Sequence, residues 1–263
     1  MGVKRIGIIG AGVMGEALII ALTRNGIEPE SIVIVEKRDA RRAEITSKYS
    51  VISRSIKDCE VVFLLVKPQD LDSTLEEFRK EISQSALVVS FVAGKPSAFI
   101  ESHLAAKQRV LRVMSNTPMT LSKGFTAISS GKYASESDVE WLKEVLSSSS
   151  VVIRVAEEEQ NAITALSGSG PAYFFAMVEA MADAGKRLGL SEQDSLLAAK
   201  QVLVGAAAMI ENSGQDPKTL RENVTSPNGT TFAALLAFKE AGFQEIVFNA
   251  MKAARDRSIE LSK

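Results

Sequence analysis

Three glycines stand in the run Gly10-Ala11-Gly12-Val13-Met14-Gly15, which follows an apolar segment and opens a helix-period one. In that context the spacing predicts a dinucleotide site. The first glycine permits a tight turn, the second lets backbone approach a pyrophosphate, and the third lets helix lie close on strand. Free N–H groups at the helix start, together with its dipole, suit phosphate. About twenty residues on, Glu36 ends a second apolar run, where an acid holds the adenosine ribose hydroxyls of NAD. Lys37, Arg38, Arg41 and Arg42 follow at once. One or two of them would equally neutralise the 2′-phosphate of NADP, or simply form a solvated helix start, so NADPH and NADH both stay open.

Three further strand ends carry small, amide or proline residues: Val66-Lys67-Pro68, Val92-Ala93-Gly94 and Met114-Ser115-Asn116-Thr117-Pro118. A hydride donor needs a rigid floor under its nicotinamide, and ligands of open α/β sheets sit at the carboxyl ends of strands. Lys67 is placed to reach cofactor ribose or phosphate. Far downstream, Asn223-Val-Thr-Ser226-Pro-Asn-Gly229-Thr-Thr231-Phe232 interrupts a stretch of helices. So polar a loop at a helix start presents N–H groups and hydroxyls to an anion. By itself it would also read as a proline turn with a threonine cap. His103 and Cys59 are the only histidine and cysteine, too few for a His-based triad, a disulfide or a metal cluster.

The elements that position these residues have two grammars. The segments 5–9, 31–35, 61–66, 87–92 and 109–114 are apolar on both faces and read as buried parallel strands. They alternate with helix-period segments at 13–25, 39–48 and 71–82, and Asn25-Gly26 is a helix stop. Strands at 124–129 and 151–155 flank a helix at 135–146, and Ser147–Ser150 reads as a turn. After residue 156 only helices are expected: 157–184, 191–210, 217–223, 230–241 and 244–262, with breaks at Gly189, Gly214 and Gly242. The expected fold is α/β, an N-terminal Rossmann-type doubly wound sheet over 1–156 followed by an all-helical dimerisation and substrate-binding domain over 157–263.

The chain has 263 residues, 46% apolar, with a net charge of -1. Nothing in that balance draws it to nucleic acid or an anionic membrane. Glu16 interrupts the first apolar run, which argues against a signal peptide, and no later run reaches the ~18 residues of a membrane helix. A cytoplasmic protein is expected, the lone thiol suiting a reducing compartment.

These residues together resemble the pyrroline-5-carboxylate reductase family over nearly the whole chain. The most specific parts are Val66-Lys67-Pro68, Met114–Pro118, Leu166-Ser-Gly-Ser-Gly-Pro-Ala-Tyr173 and Ser226–Thr231. The resemblance implies an NAD(P)H-dependent oxidoreductase acting on a C=N bond, which turns 1-pyrroline-5-carboxylate into L-proline in the last step of proline biosynthesis. It also implies a homodimer within a larger homo-oligomer. Ser226, Gly229 and Thr230 would hold the substrate carboxylate, and Thr231 would hydrogen-bond the ring nitrogen as the catalytic residue. Glu157 would lie near the ring and Asn223 toward the nicotinamide. Two positions depart from the family: Ser115 replaces a frequent proline, and Asn228 stands where Gly-Gly is usual. Asn is the residue best able to replace glycine if φ is positive there. A related cyclic-imine reductase and a non-catalytic cofactor-sensing dimer are the alternatives. The β-hydroxyacid dehydrogenases are disfavoured, because Lys186 and Lys200 lack that class's K-x-x-N pattern.

Overall fold

The structure is a computed structural model and describes residues 5–53 and 55–262. Strand order in its sheet is β3-β2-β1-β4-β5-β6-β7-β8. The strands are β1 (Ile6–Ile9), β2 (Ile32–Val35), β3 (Ile52–Ser53), β4 (Val61–Leu64), β5 (Leu87–Ser90), β6 (Arg109–Met114), β7 (Gly124–Ser130) and β8 (Ser150–Arg154). The first six run parallel in register, and β7 is antiparallel to β6. Order reverses between β1 and β4, which creates the crevice typical of dinucleotide folds.

Alternation sorts each strand's side chains onto two apolar layers. Val61 and Phe63 of β4 join Leu18, Leu22 and Leu142, from α1 (Val13–Arg24) and α5 (Glu136–Ser147). Val62 and Leu64 join Leu71 and Leu75 of α3 (Leu71–Phe78) and Ile100 of α4 (Ser97–His103). Burial on both faces is why these strands read as continuous apolar runs. Truncating fully buried Phe63 to alanine removes about 3–5 kcal/mol. The helix α2 (Asp39–Tyr49) follows β2 and carries only Ile45 into the core.

The first compact unit runs to Ser169 and takes back the chain from Ala254; Gly170–Ala253 form the second. This division falls thirteen residues after the expected end at 156, because residues 157–169 are bonded into the sheet. Gln160 on α6 (Gln160–Ile163) donates to the Ser129 hydroxyl at 2.8 Å, and the Ser258 hydroxyl donates to Asn161 at 2.8 Å. The continuous helix expected over 157–184 is broken: a 3-10 turn at Glu157–Glu159 and α6 lead into a π-helical turn, Thr164–Gly168, before α7 (Gly170–Arg187). Pro171 has no N–H for the carbonyl of Ser167, and the ladder widens ahead of it, Ser169 N donating to Thr164 O at 2.9 Å.

The second unit is helical throughout. It holds α7, α8 (Glu192–Asn212), α9 (Pro217–Asn223), α10 (Thr230–Glu240) and most of α11 (Phe243–Glu260). Its breaks are the expected ones: Gly189, Gly214 and Gly242 all have positive φ.

Candidate active site

In the first unit, parallel register brings the ends of β1, β2, β4, β5 and β6 to one edge of the sheet. There lie Gly10–Gly15, Glu36–Arg38, Val66-Lys67-Pro68, Ala93 and Asn116. Gly10 has φ +99°, and a Cβ on it would lie 2.7 Å from the Leu65 carbonyl oxygen; a Cβ on Gly15 would lie 2.3 Å from the Gly10 carbonyl oxygen. At Gly12 the nearest atom to such a Cβ is an Arg38 Nη2 at 4.0 Å, which leaves the backbone open to a ligand. Gly12 caps α1, and the first intrahelical donor is Glu16 N, to Gly12 O. The amides of Val13 and Met14 therefore precede the helical ladder.

Glu36 is buried, its side chain 7% exposed. Its Oε1 accepts from Arg38 N at 3.0 Å and Arg38 Nε at 2.9 Å; its Oε2 accepts from Ala11 N at 3.1 Å and Arg38 Nη2 at 3.2 Å. The Arg38 guanidinium, ahead of its backbone and the Ala11 amide, holds this carboxyl below the usual range against the opposing effect of burial. Four donors occupy the roughly four lone-pair directions of a carboxylate.

The four cations after Glu36 have separate fates. Lys37 pairs with Glu77 on the surface at 3.2 Å. Arg41 donates to the carbonyls of Ala11 and Gly12, and Arg42 donates to the Glu36 carbonyl at 2.8 Å. Arg38 alone pairs with Glu36 while its side chain stays 66% exposed. Lys67 is exposed, and Pro68 opens a 3-10 turn at the end of β4.

The Asn116 side chain is committed to backbone: Nδ2 donates to Ser167 O at 3.1 Å and Oδ1 accepts from Phe125 N at 3.0 Å. Glu157 accepts from the Ser97 amide at 2.7 Å and the Ser97 hydroxyl at 2.6 Å, and pairs with Arg112 at 3.4 Å. Arg112 is buried on β6, which lowers its pKa against the pull of Glu157. Sequence reasoning missed Ser97, Arg112 and Gln160. No motif marks them, although a charged residue inside the apolar run 109–114 was a signal. Cys59 is buried, which pushes its thiol up to about 11 and leaves no thiolate for chemistry.

In the second unit, Gly229 N donates to Ser226 O at 3.0 Å across Pro227 and Asn228, and Asn228 has φ +57°. A type II turn requires a left-handed third residue and favours proline second. A Cβ on Gly229 would lie 2.4 Å from Ser226 Oγ. Gly229 caps α10, and Ala233 N to Gly229 O is its first intrahelical bond. The amides of Thr230, Thr231 and Phe232 therefore precede the ladder beside two threonine hydroxyls. Such a cradle suits a carboxylate. Asn223 donates to Gln215 Oε1 at 3.1 Å.

Comparison with known proteins agrees along the whole chain. Residues 157–261 match the family described as pyrroline-5-carboxylate reductase dimerisation, and residues 5–94 match NADP oxidoreductase coenzyme F420-dependent. The pyrroline-5-carboxylate reductase of Corynebacterium melassecola is 36% identical over 266 residues, covering 98% of both chains. The solved pyrroline-5-carboxylate reductase of Coxiella burnetii superposes with a TM-score of 0.90 at 31% identity over 100% of both chains. The pyrroline carboxylate reductase of Plasmodium falciparum, determined with NADP bound, gives 0.86 at 26% identity, again over 100% of both. With the dinucleotide loop, the strand ends and the Ser226–Thr231 turn all present, the chain belongs to the pyrroline-5-carboxylate reductase family.

Proposed function

We propose that this chain reduces the C=N bond of 1-pyrroline-5-carboxylate to give L-proline, the closing step of proline biosynthesis, with NADPH preferred over NADH. The observation that carries this reading is the Ser226–Gly229 turn. It delivers three unladdered amides and two threonine hydroxyls at the start of α10, which is the chemistry a small carboxylate needs.

Ser226, Gly229 and Thr230 hold the substrate carboxylate. The Thr231 hydroxyl hydrogen-bonds the ring nitrogen, orients the imine and relays its proton. In this reading Asn223 serves the nicotinamide side and Glu157 serves the substrate ring. Gly10–Gly15 take the pyrophosphate, while Val66, Lys67, Pro68, Ala93 and Asn116 form the strand-end floor. Bound NADPH supplies the hydride for the imine carbon. A protonated imine is already electrophilic, so the protein's main contribution is orientation, worth up to about 7–11 kcal/mol in favourable cases.

The preference for NADPH rests on Glu36. Its acceptors are taken by Ala11 and Arg38, so it has little to offer a ribose diol, whereas exposed Arg38 suits a 2′-phosphate.

Apolar side chains exposed on the second unit, among them Phe174, Phe175, Val202 and Phe248, favour a homodimer through this unit, and a larger assembly built from such dimers. No helix among the described residues is long and apolar enough to cross a membrane. With Cys59 buried and unpaired, we place the enzyme in the cytoplasm.

The test is coenzyme oxidation with pyrroline-5-carboxylate, beside a six-membered cyclic imine, using NADPH and NADH in turn. Turnover that prefers the five-membered ring and NADPH supports the reading. Coenzyme binding without turnover of either imine overturns it in favour of a non-catalytic dimer.

A further inference from the structure

Arg41 lies on the first turn of α2, thirty residues from the loop it reaches, with its side chain 16% exposed. Its Nε donates to Ala11 O at 2.9 Å, and its Nη2 donates to Gly12 O at 3.3 Å and to Glu16 Oε2 at 2.5 Å. Its Nη1 pairs with Glu44 at 2.9 Å. Glu16 is fixed in turn by Lys48 at 2.8 Å and the Tyr49 hydroxyl at 2.7 Å. One guanidinium thus grips two successive carbonyls of the glycine loop, and a braced carboxylate holds it from α1.

The consequence follows from peptide geometry. In a planar trans peptide the N–H points opposite to the C=O. The carbonyl of Ala11 shares its peptide with the amide of Gly12, and the carbonyl of Gly12 shares its peptide with the amide of Val13. Pulling both carbonyls toward Arg41 turns the Gly12 and Val13 N–H groups away from it. The neighbouring Ala11 N–H is already spent on Glu36. The cation also offsets carbonyl partial charge that would otherwise repel phosphate.

We propose that Arg41 is a positioning residue for the coenzyme. It sets the direction of the Gly12 and Val13 amides toward the pyrophosphate and does not touch the 2′-phosphate. The inference rests on the dinucleotide reading of this loop but not on the identity of the imine.

The test uses the full-length protein with Arg41→Met, which keeps the side chain's bulk without its donors, and Arg41→Lys, which keeps the charge but not the fork. Binding of NADPH, NADH and ADP-ribose is measured calorimetrically, with kcat, the KM of the imine and Tm alongside. The expected result for Arg41→Met is a loss of about ten- to hundredfold in affinity, equal within threefold for all three ligands. kcat at saturating coenzyme and the imine KM stay within about twofold. Arg41→Lys falls between Arg41→Met and the wild type, and it carries the test if Arg41→Met does not fold. A loss confined to NADPH would make Arg41 a 2′-phosphate ligand and overturn the inference. Unchanged binding of all three would overturn it too, as would a fall in kcat with a rise in the imine KM. A wild type that binds NADPH yet reduces no imine would sink the proposed function while leaving the role of Arg41 testable.

Discussion

The side-chain amide of Asn116 donates to the carbonyl of Ser167 at 3.1 Å, and Ser167 is the residue whose helical donor would have been Pro171. A proline that strips a helix of one N–H is thus compensated by an asparagine fifty-one positions before the carbonyl it leaves open. The same asparagine accepts from Phe125 N at the start of β7. Asn116→Ala leaves both backbone groups short of a partner and should cost about 1–3 kcal/mol, read by urea denaturation. If stability were unchanged while coenzyme affinity fell, Asn116 would be a cofactor contact first.

Arg38 should set coenzyme choice. Removing an exposed charge-assisted contact to a phosphate costs about 1.5–3 kcal/mol. Arg38→Ala is therefore expected to lower kcat/KM for NADPH about ten- to hundredfold and to change NADH less than threefold. Equal losses for both coenzymes would show that Arg38 serves only to hold Glu36.

Asn228 tests the substrate turn. Its φ of +57° is tolerated by asparagine and glycine and resisted by branched side chains. Asn228→Gly is expected to keep the imine KM within about twofold. Asn228→Val should cost about 1–2 kcal/mol and raise that KM. Equal kinetics for the two variants would mean that the turn does not shape the carboxylate site.

Thr231→Ala should lower kcat/KM about ten- to hundredfold, the loss of one hydrogen bond to a charged group, and Thr231→Ser should retain most activity. The profile against pH discriminates roles. Wild-type kcat/KM from the alanine variant at every pH would remove Thr231 from the mechanism.

Glu16 makes acid stability readable. Its hydrogen bonds from Lys48, then Arg41 and Tyr49, lower its pKa from 4.5 to about 2. The unfolded chain therefore binds the proton first as pH falls. The stabilisation is complete above 4.5 and is lost as pH drops toward about 2. Glu16→Gln should be less stable by about 1–3 kcal/mol at neutral pH, and the gap should close across that window. A gap independent of pH would mean the charge contributes nothing.

What the amino-acid sequence determined by itself is local. Gly10 at positive φ, the Asn25-Gly26 stop, the breaks at Gly189, Gly214 and Gly242 and the left-handed Asn228 follow from the conformational limits of single residues. The parallel strands follow from runs that are apolar on both faces. Only tertiary structure sorted the four cations after Glu36, because whether a guanidinium meets a carboxylate, a carbonyl or solvent depends on elements distant in the chain. Arg41 finds Ala11 across thirty residues, and Glu157 finds Ser97 across sixty. The antiparallel setting of β7 and the bonding of 157–169 into the first unit were hidden for the same reason. Each is decided by lateral hydrogen bonds whose partners no local pattern names.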